Sequence, residues 1–103
     1  MPKSYIKGRR IEYKAIEELK KKYKCFLAWR SAGSHSFCDV FGVSREKAYF
    51  IQIKTNKLLK KDIEKIKSLA EKAPENVVLG IWLYEDRKGF VKKVMFQKQK
   101  KNF

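Results

Sequence analysis

Residues 30–55 read RSAGSHSFCDVFGVSREKAYFIQIKT. Two apolar runs, 39–43 and 48–55, flank the polar turn Ser44-Arg45-Glu46-Lys47, and this spacing predicts a tight antiparallel hairpin. Such a pairing brings Asp39 near Gln52 and Lys54. Residues two apart in a strand share a face, so Gln52 and Lys54 point one way while Ile51 and Ile53 point into a core. A carboxylate, a side chain with a carbonyl oxygen and an ammonium then meet at one edge of a sheet.

On the N-terminal side, Ile11, Ala15, Ile16, Leu19 and Tyr23 recur at helical spacing. They predict an amphipathic helix over 9–23 with Lys20, Lys21 and Lys22 toward solvent. Residues 1–7 read as a frayed basic lead that Gly8 ends. Glu12 shares the packing face with Ile16 and Leu19, whereas Glu17 and Glu18 are expected to face water. First-turn placement, where the helix dipole favours an anion by about 0.3–1 kcal/mol, is one reason for a carboxylate there; a functional site is the other. CFLAWR, 25–30, is short, apolar and aromatic and reads as a strand. The small-residue loop that follows, SAGSHS at 31–36, serves as a turn. Glycine and hydroxyls leading to an acid also let a phosphate backbone approach closely. His35 in this loop has two readings, a solvated side chain or a catalytic one.

On the C-terminal side, Ile63, Ile66 and Ala70 return to the helical period over 59–73, and Pro74 marks the stop. VVLGIWLY, 77–84, is almost continuously apolar, as a strand covered on both faces is, and is therefore expected to be central. A turn over 85–89 leads to a last strand at 90–96 and a basic tail, QKQKKNF. No internal repeat is visible. The order helix, strand, strand, strand, helix, strand, strand predicts an α/β fold, a mixed five-stranded sheet flanked by helices. The early strands are hairpin-linked, and the crossover through the second helix permits a parallel neighbour.

At 103 residues and 44% hydrophobic content, the chain is expected to form a single domain, 1–103, with one core of modest size. A net charge of +15 and a pI near 9.9 argue for a polyanionic partner, with nucleic acid first and an anionic membrane surface second. The charge runs along the whole chain, which suits a folded basic surface better than a disordered arm. No stretch approaches the roughly 20 apolar residues of a membrane span. The N-terminus also lacks the apolar region of a signal peptide, so a cytoplasmic location is expected. Cys25 and Cys38 are not spaced as a zinc pair, and one histidine cannot complete a Cys/His set. Both read as buried small hydrophobes.

Phosphodiester hydrolysis needs an activated water, a stabiliser for charge on the phosphorane and help for the leaving oxygen. One or two Mg²⁺ ions held by carboxylates provide most of this. Asp39 and Glu12 are candidate metal ligands, Gln52 offers its side-chain carbonyl and Ile53 its backbone carbonyl. Lys54 would hold the attacking water or offset charge in the transition state. The plain alternative is a basic sheet with an exposed Lys54.

The N-terminal helix with Glu12, the RSAGS loop, Asp39 and the following apolar-x-Lys strand resemble the PD-(D/E)xK nuclease superfamily, and within it the archaeal Holliday junction resolvases. The similarity covers about residues 8–55. The bare Asp and x-Lys pattern is weak, while RSAGS leading to Asp after such a helix is more specific. The resemblance implies a restriction-endonuclease-like core in which Glu12 and Asp39 match metal-binding acids, Lys54 the catalytic lysine, Arg30 a site arginine and Ser34 a loop serine near the scissile phosphate. Bordering these, Arg9, Arg10, Arg30, Ser31, Gly33, His35 and Lys57 are expected to contact DNA. Where the family has Glu in its Glu-x-Lys pair this chain has Gln52, and Tyr13 stands where an arginine commonly follows the helix glutamate.

The implied activity is that of a Mg²⁺-dependent homodimer that cuts four-way junctions by paired nicks. Phe90, Val94 and Phe96 of the last strand, or the second helix, are expected to supply the dimer interface. The alternative is a catalytically weak or inactive relative that binds branched DNA or RNA as a basic module.

Overall fold

The computed structural model describes residues 3–31 and 38–98, with side chains from Gly8 onward. Helix α1 (Lys3–Lys22) begins earlier than the apolar period suggests and runs through Gly8. A glycine in an exposed helix interior costs only about 1 kcal/mol relative to alanine, so it does not by itself end a helix. Ile11, Ala15, Ile16 and Leu19 are buried along one face, as their spacing requires. The chain leaves α1 through Lys24 in the left-handed conformation (φ 59°), with the Cys25 N–H donating to the Leu19 carbonyl, a common way to satisfy a helix end.

Strand β1 (Leu27–Arg30) then pairs antiparallel with β2 (Val40–Val43), from Leu27 opposite Val43 to Arg30 opposite Val40. The expected hairpin joins β2 to β3 (Ala48–Lys54), with Val43 opposite Ala48 and Val40 opposite Ile51. Its turn is closed by the Ser44 N–H on the Lys47 carbonyl, while the Ser44 hydroxyl oxygen accepts from the Lys47 N–H. Helix α2 (Lys60–Lys72) carries the chain to β4 (Val77–Glu85), parallel to β3. Ala73, held extended before Pro74, stops the helix where the proline predicts. β5 (Gly89–Gln97) returns antiparallel on β4 through a turn with positive φ at Arg87 and Gly89. The result is an α/β fold in which a mixed five-stranded sheet, ordered β1-β2-β3-β4-β5, carries two helices.

Strand alternation divides the core in two. Tyr49, Ile51 and Ile53 of β3 pack with Val78, Trp82 and the apolar stripe of α1. Phe50 faces the other way and joins Leu79, Ile81 and the Ile66 and Ala70 side chains of α2. The helices are also offset laterally: α1 lies over β1 and β2, and α2 over β4 and β5. Gly42 permits the first of these contacts, because a Cβ there would come 2.9 Å from Cys25 Sγ and 3.1 Å from Leu19 Cδ1. The offset leaves the α2-side face of β1 and β2 without a helix above it among the described residues, and Leu27 and Trp29 are about half exposed. Among the described residues no helix is long and apolar enough to cross a membrane.

Candidate active site

Asp39 stands where β2 begins, and three hydrogen bonds hold it. Its carbonyl accepts from the Ser31 N–H at 2.9 Å, its N–H donates to the Ile51 carbonyl at 2.9 Å, and its Oδ2 accepts from the Ile53 N–H at 2.6 Å. The last bond replaces a rung of the sheet ladder, because the chain bends at Asp39 and the carboxylate takes a donor that a strand carbonyl would otherwise meet. The ladder register ends at the Val40–Ile51 pair, and Asp39 reaches β3 through its bonds to Ile51 and Ile53, on either side of Gln52. Gln52 and Lys54 lie on the face opposite Ile51 and Ile53, as alternation predicts. Lys54 Nζ is 3.9 Å from Asp62 Oδ2 in the first turn of α2, a loose pair that the hairpin alone does not reveal.

Glu12 lies well past the first turn of α1, which contains no acidic residue, so the helix dipole is not what places it. Its partner is Arg30 at the end of β1, with Glu12 Oε1 2.7 Å from Arg30 Nε and roughly three-quarters of each side chain shielded. The Arg30 guanidinium also lies 5.5 Å from the Tyr13 ring centroid. The hydrogen bond to Glu12 raises the Arg30 pKa further, so its charge is permanent. Arg30 is opposite Val40, so the pair lies at the end of the sheet where Asp39 enters β2, but on the α1 face, across the sheet from Gln52 and Lys54. Arg9 and Arg10 are exposed on α1 just before Glu12, and Lys57 is exposed just beyond β3. Ser31 holds the Asp39 carbonyl through its N–H. Gly33, Ser34 and His35 lie outside the described residues.

Asp39, the Gln52 amide and the Ile53 carbonyl would offer only oxygen donors, the chemistry that a hard divalent cation such as Mg²⁺ prefers; the contact the structure shows among them is that of Asp39 with the Ile53 N–H. The set is poor in charge. Glu12 is already engaged by Arg30, Gln52 is neutral, and among the described residues no three His, Cys, Asp or Glu side chains are gathered as a metal cluster. Cys38, next to Asp39, is buried, and its thiol is pushed up to about 12 by burial and by the Asp39 charge, against an opposing hydrogen bond with the Ile51 backbone. Burial raises Cys25 as well. Both thiols are protonated at neutral pH, which leaves them neither nucleophiles nor ready ligands.

The sequence reading placed Glu18 in water, and the structure does not. Glu18 Oε1 is 3.0 Å from Lys93 Nζ on β5 and 2.8 Å from Lys22 Nζ, and four-fifths of the Glu18 side chain is shielded. Lys22 at i+4 is a local signal for such a pair. Lys93, 75 residues away, leaves no local signal at all. Compared with known proteins, the chain matches no family model and no curated protein.

Proposed function

We propose that this chain is a Mg²⁺-dependent, structure-specific DNA endonuclease with a restriction-endonuclease-like core, which resolves four-way junctions by paired nicks. The observation that carries the reading is Asp39, fastened by its carboxylate to the N–H of Ile53, the residue between Gln52 and Lys54 in β3. Asp39, Gln52 and Ile53 would hold the Mg²⁺ ion. When bound, the ion supplies charge neutralisation at the phosphate and an acidified water.

The chain's own groups do the positioning. The Ile53 N–H fixes one Asp39 oxygen, Oδ2. Lys54, about one-third exposed, holds the attacking water or opposes charge growing on the phosphate oxygens. Glu12 aims Arg30, whose fixed charge at the end of β1 suits a non-bridging phosphate oxygen. The remaining lysines contact phosphates without reading bases. Two symmetric cuts need two sites, so the active form is a homodimer. Phe90, Val94 and Phe96 of β5, or the outer side of α2, would supply its interface; Phe90 already packs on the Trp82 and Tyr84 rings and Phe96 against the α2 cluster, and all three β5 residues stay partly exposed.

Labelled four-way junction, flap, duplex and single strands, incubated with Mg²⁺ or EDTA, test the reading. Paired nicks confined to the junction and dependent on Mg²⁺ are expected. Asp39→Asn keeps an acceptor for the Ile53 N–H while removing the charge, and it should abolish cleavage, as should Lys54→Ala. Junction binding should survive both, because contacts spread over many lysines carry the affinity. An Asp39→Asn variant that cuts like the parent rejects the site. The low charge of the donor set favours one second reading, a module that binds branched nucleic acid without cutting it. That reading prevails if neither the parent nor Gln52→Glu cuts any substrate.

A further inference from the structure

On the sheet face left open by the offset of the helices, three aromatic rings stand in a row across three strands. Trp29 of β1 stacks on Phe41 of β2, with centroids 5.5 Å apart and planes 25° from parallel, and Phe41 meets Phe50 of β3 edge-on at 5.4 Å. The register makes this row continuous, with Trp29 opposite Phe41 and Phe41 opposite Phe50. Phe50 is anchored against the α2 cluster, and the row ends in Trp29, which is 46% exposed on an edge strand.

Two residues along the chain from these rings come Ser31, just past β1, Asp39, where the chain bends into β2, and Gln52 of β3, with the Ser31 N–H on the Asp39 carbonyl. In each of the three segments the aromatic residue therefore stands two residues from a member of the proposed phosphate-handling group. An exposed indole held in place by two further rings loses little freedom on binding, and the π-face of any base can stack on it. Charge selects the occupant: a chain at +15 is complementary to a nucleic acid strand.

We propose that Trp29, backed by Phe41 and Phe50, is a stacking platform for an unpaired base next to the phosphate that the Asp39 group receives. The inference rests on that reading of the Asp39 group. It adds a substrate preference: strands with unstacked bases, as at a junction or a flap, engage Trp29, and a fully paired duplex does not.

Tryptophan emission isolates the contact, because the only other tryptophan, Trp82, is fully buried. In EDTA, with cleavage suppressed, single-stranded oligothymidine should quench Trp29 emission strongly, and a blunt duplex at saturation should quench it little. Trp29→Ala should weaken oligothymidine binding about 10-fold, in line with the loss of one base stack, and should leave duplex binding unchanged. Trp29→Phe should restore most of the lost affinity, which also shows that the edge strand folds without indole. Equal quenching by both probes, or unchanged oligothymidine affinity in Trp29→Ala, overturns the proposal. So does a Trp29→Ala variant that shifts from dimer to monomer in sedimentation, since a second copy would then cover the ring. The assay reads binding alone, so failure of the parent to cut a junction with Mg²⁺ rejects the endonuclease reading separately.

Discussion

Two glutamates of α1 each reach a cation on an edge strand, at opposite edges of the sheet. Glu12 meets Arg30 on β1 at 2.7 Å, and Glu18 meets Lys93 on β5 at 3.0 Å. Their exposures are nearly equal, 22% and 20%. Their surroundings are not. Lys93 Nζ lies 4.5 Å from the Trp82 ring centroid and 5.5 Å from that of Tyr23. The second Glu18 oxygen and the Trp82 indole nitrogen are buried there without a hydrogen-bond partner. Arg30 instead lies over Tyr13, itself more than half exposed, at the end of β1. Distance and burial therefore do not tell the two pairs apart. What separates them is whether the cation lies against one exposed ring, as Arg30 does, or between buried and half-buried ones, as Lys93 does.

The sharpest break of this comparison comes from truncating each glutamate. Glu18→Ala leaves the Lys93 ammonium among aromatic rings without its carboxylate. Discounted for partial exposure, the loss should be about 2 kcal/mol, with junction cleavage retained. At the usual sensitivity of a domain this size, Tm falls by about 10 °C. Glu12→Ala should do the reverse, losing about 10- to 100-fold in cleavage through the misplaced Arg30 while costing under about 1 kcal/mol of stability. Thermal unfolding and single-turnover cleavage on the same preparations check both, and a Glu12→Ala variant that is unstable but active would erase the distinction.

A charge added at the Asp39 end of the sheet sharpens it further. Gln52→Glu should lower the Mg²⁺ concentration for half-maximal cleavage about 10-fold, because a carboxylate replaces an amide around a hard cation. A metal titration of cleavage reads this directly, and an unchanged midpoint removes Gln52 from the donor set.

On the closed side, Glu18→Leu combined with Lys93→Met should cost less than either single change, since no unpaired charge is left inside. The resulting coupling should exceed about 1 kcal/mol in denaturant unfolding, against less than about 1 for Glu12 and Arg30.

The smallest effect is in the acid limb. Burial pulls the Glu18 carboxyl upward, but hydrogen bonds and charges from Lys22 and Lys93 outweigh it and hold the group below its ordinary range. A folded pKa below the unfolded value, about 4.3, gives stability that is full above that value and is lost as pH falls through the folded pKa. The parent should therefore lose stability more steeply than Glu18→Gln below about pH 5, as measured by urea unfolding across pH.

The element order, the tight hairpin and the central character of β4 were all legible in local periodicity, because period 2 and period 3.6 are written between neighbours. Pro74 likewise told where α2 stops. The start of α1 was not legible, since the modest cost of Gly8 is set against a helix whose packing stripe lies further on. Glu12 could be singled out as an acid on an apolar face, yet its reason could not, because Arg30 is 18 residues away. Glu18 was misread for the same cause, its cation lying on the last strand.

By itself, then, the sequence determined which segments are helix and strand, which residues alternate onto which face, and a net charge of +15. Only the tertiary structure decided that Asp39 spends one oxygen on the Ile53 N–H, that Lys54 leans toward Asp62, and that each helix covers a different part of the sheet. The lateral offset of the helices leaves Trp29 in water, and it depends on close contacts such as Leu19 and Cys25 against Gly42. Such contacts join residues far apart in the chain, where no local period records them.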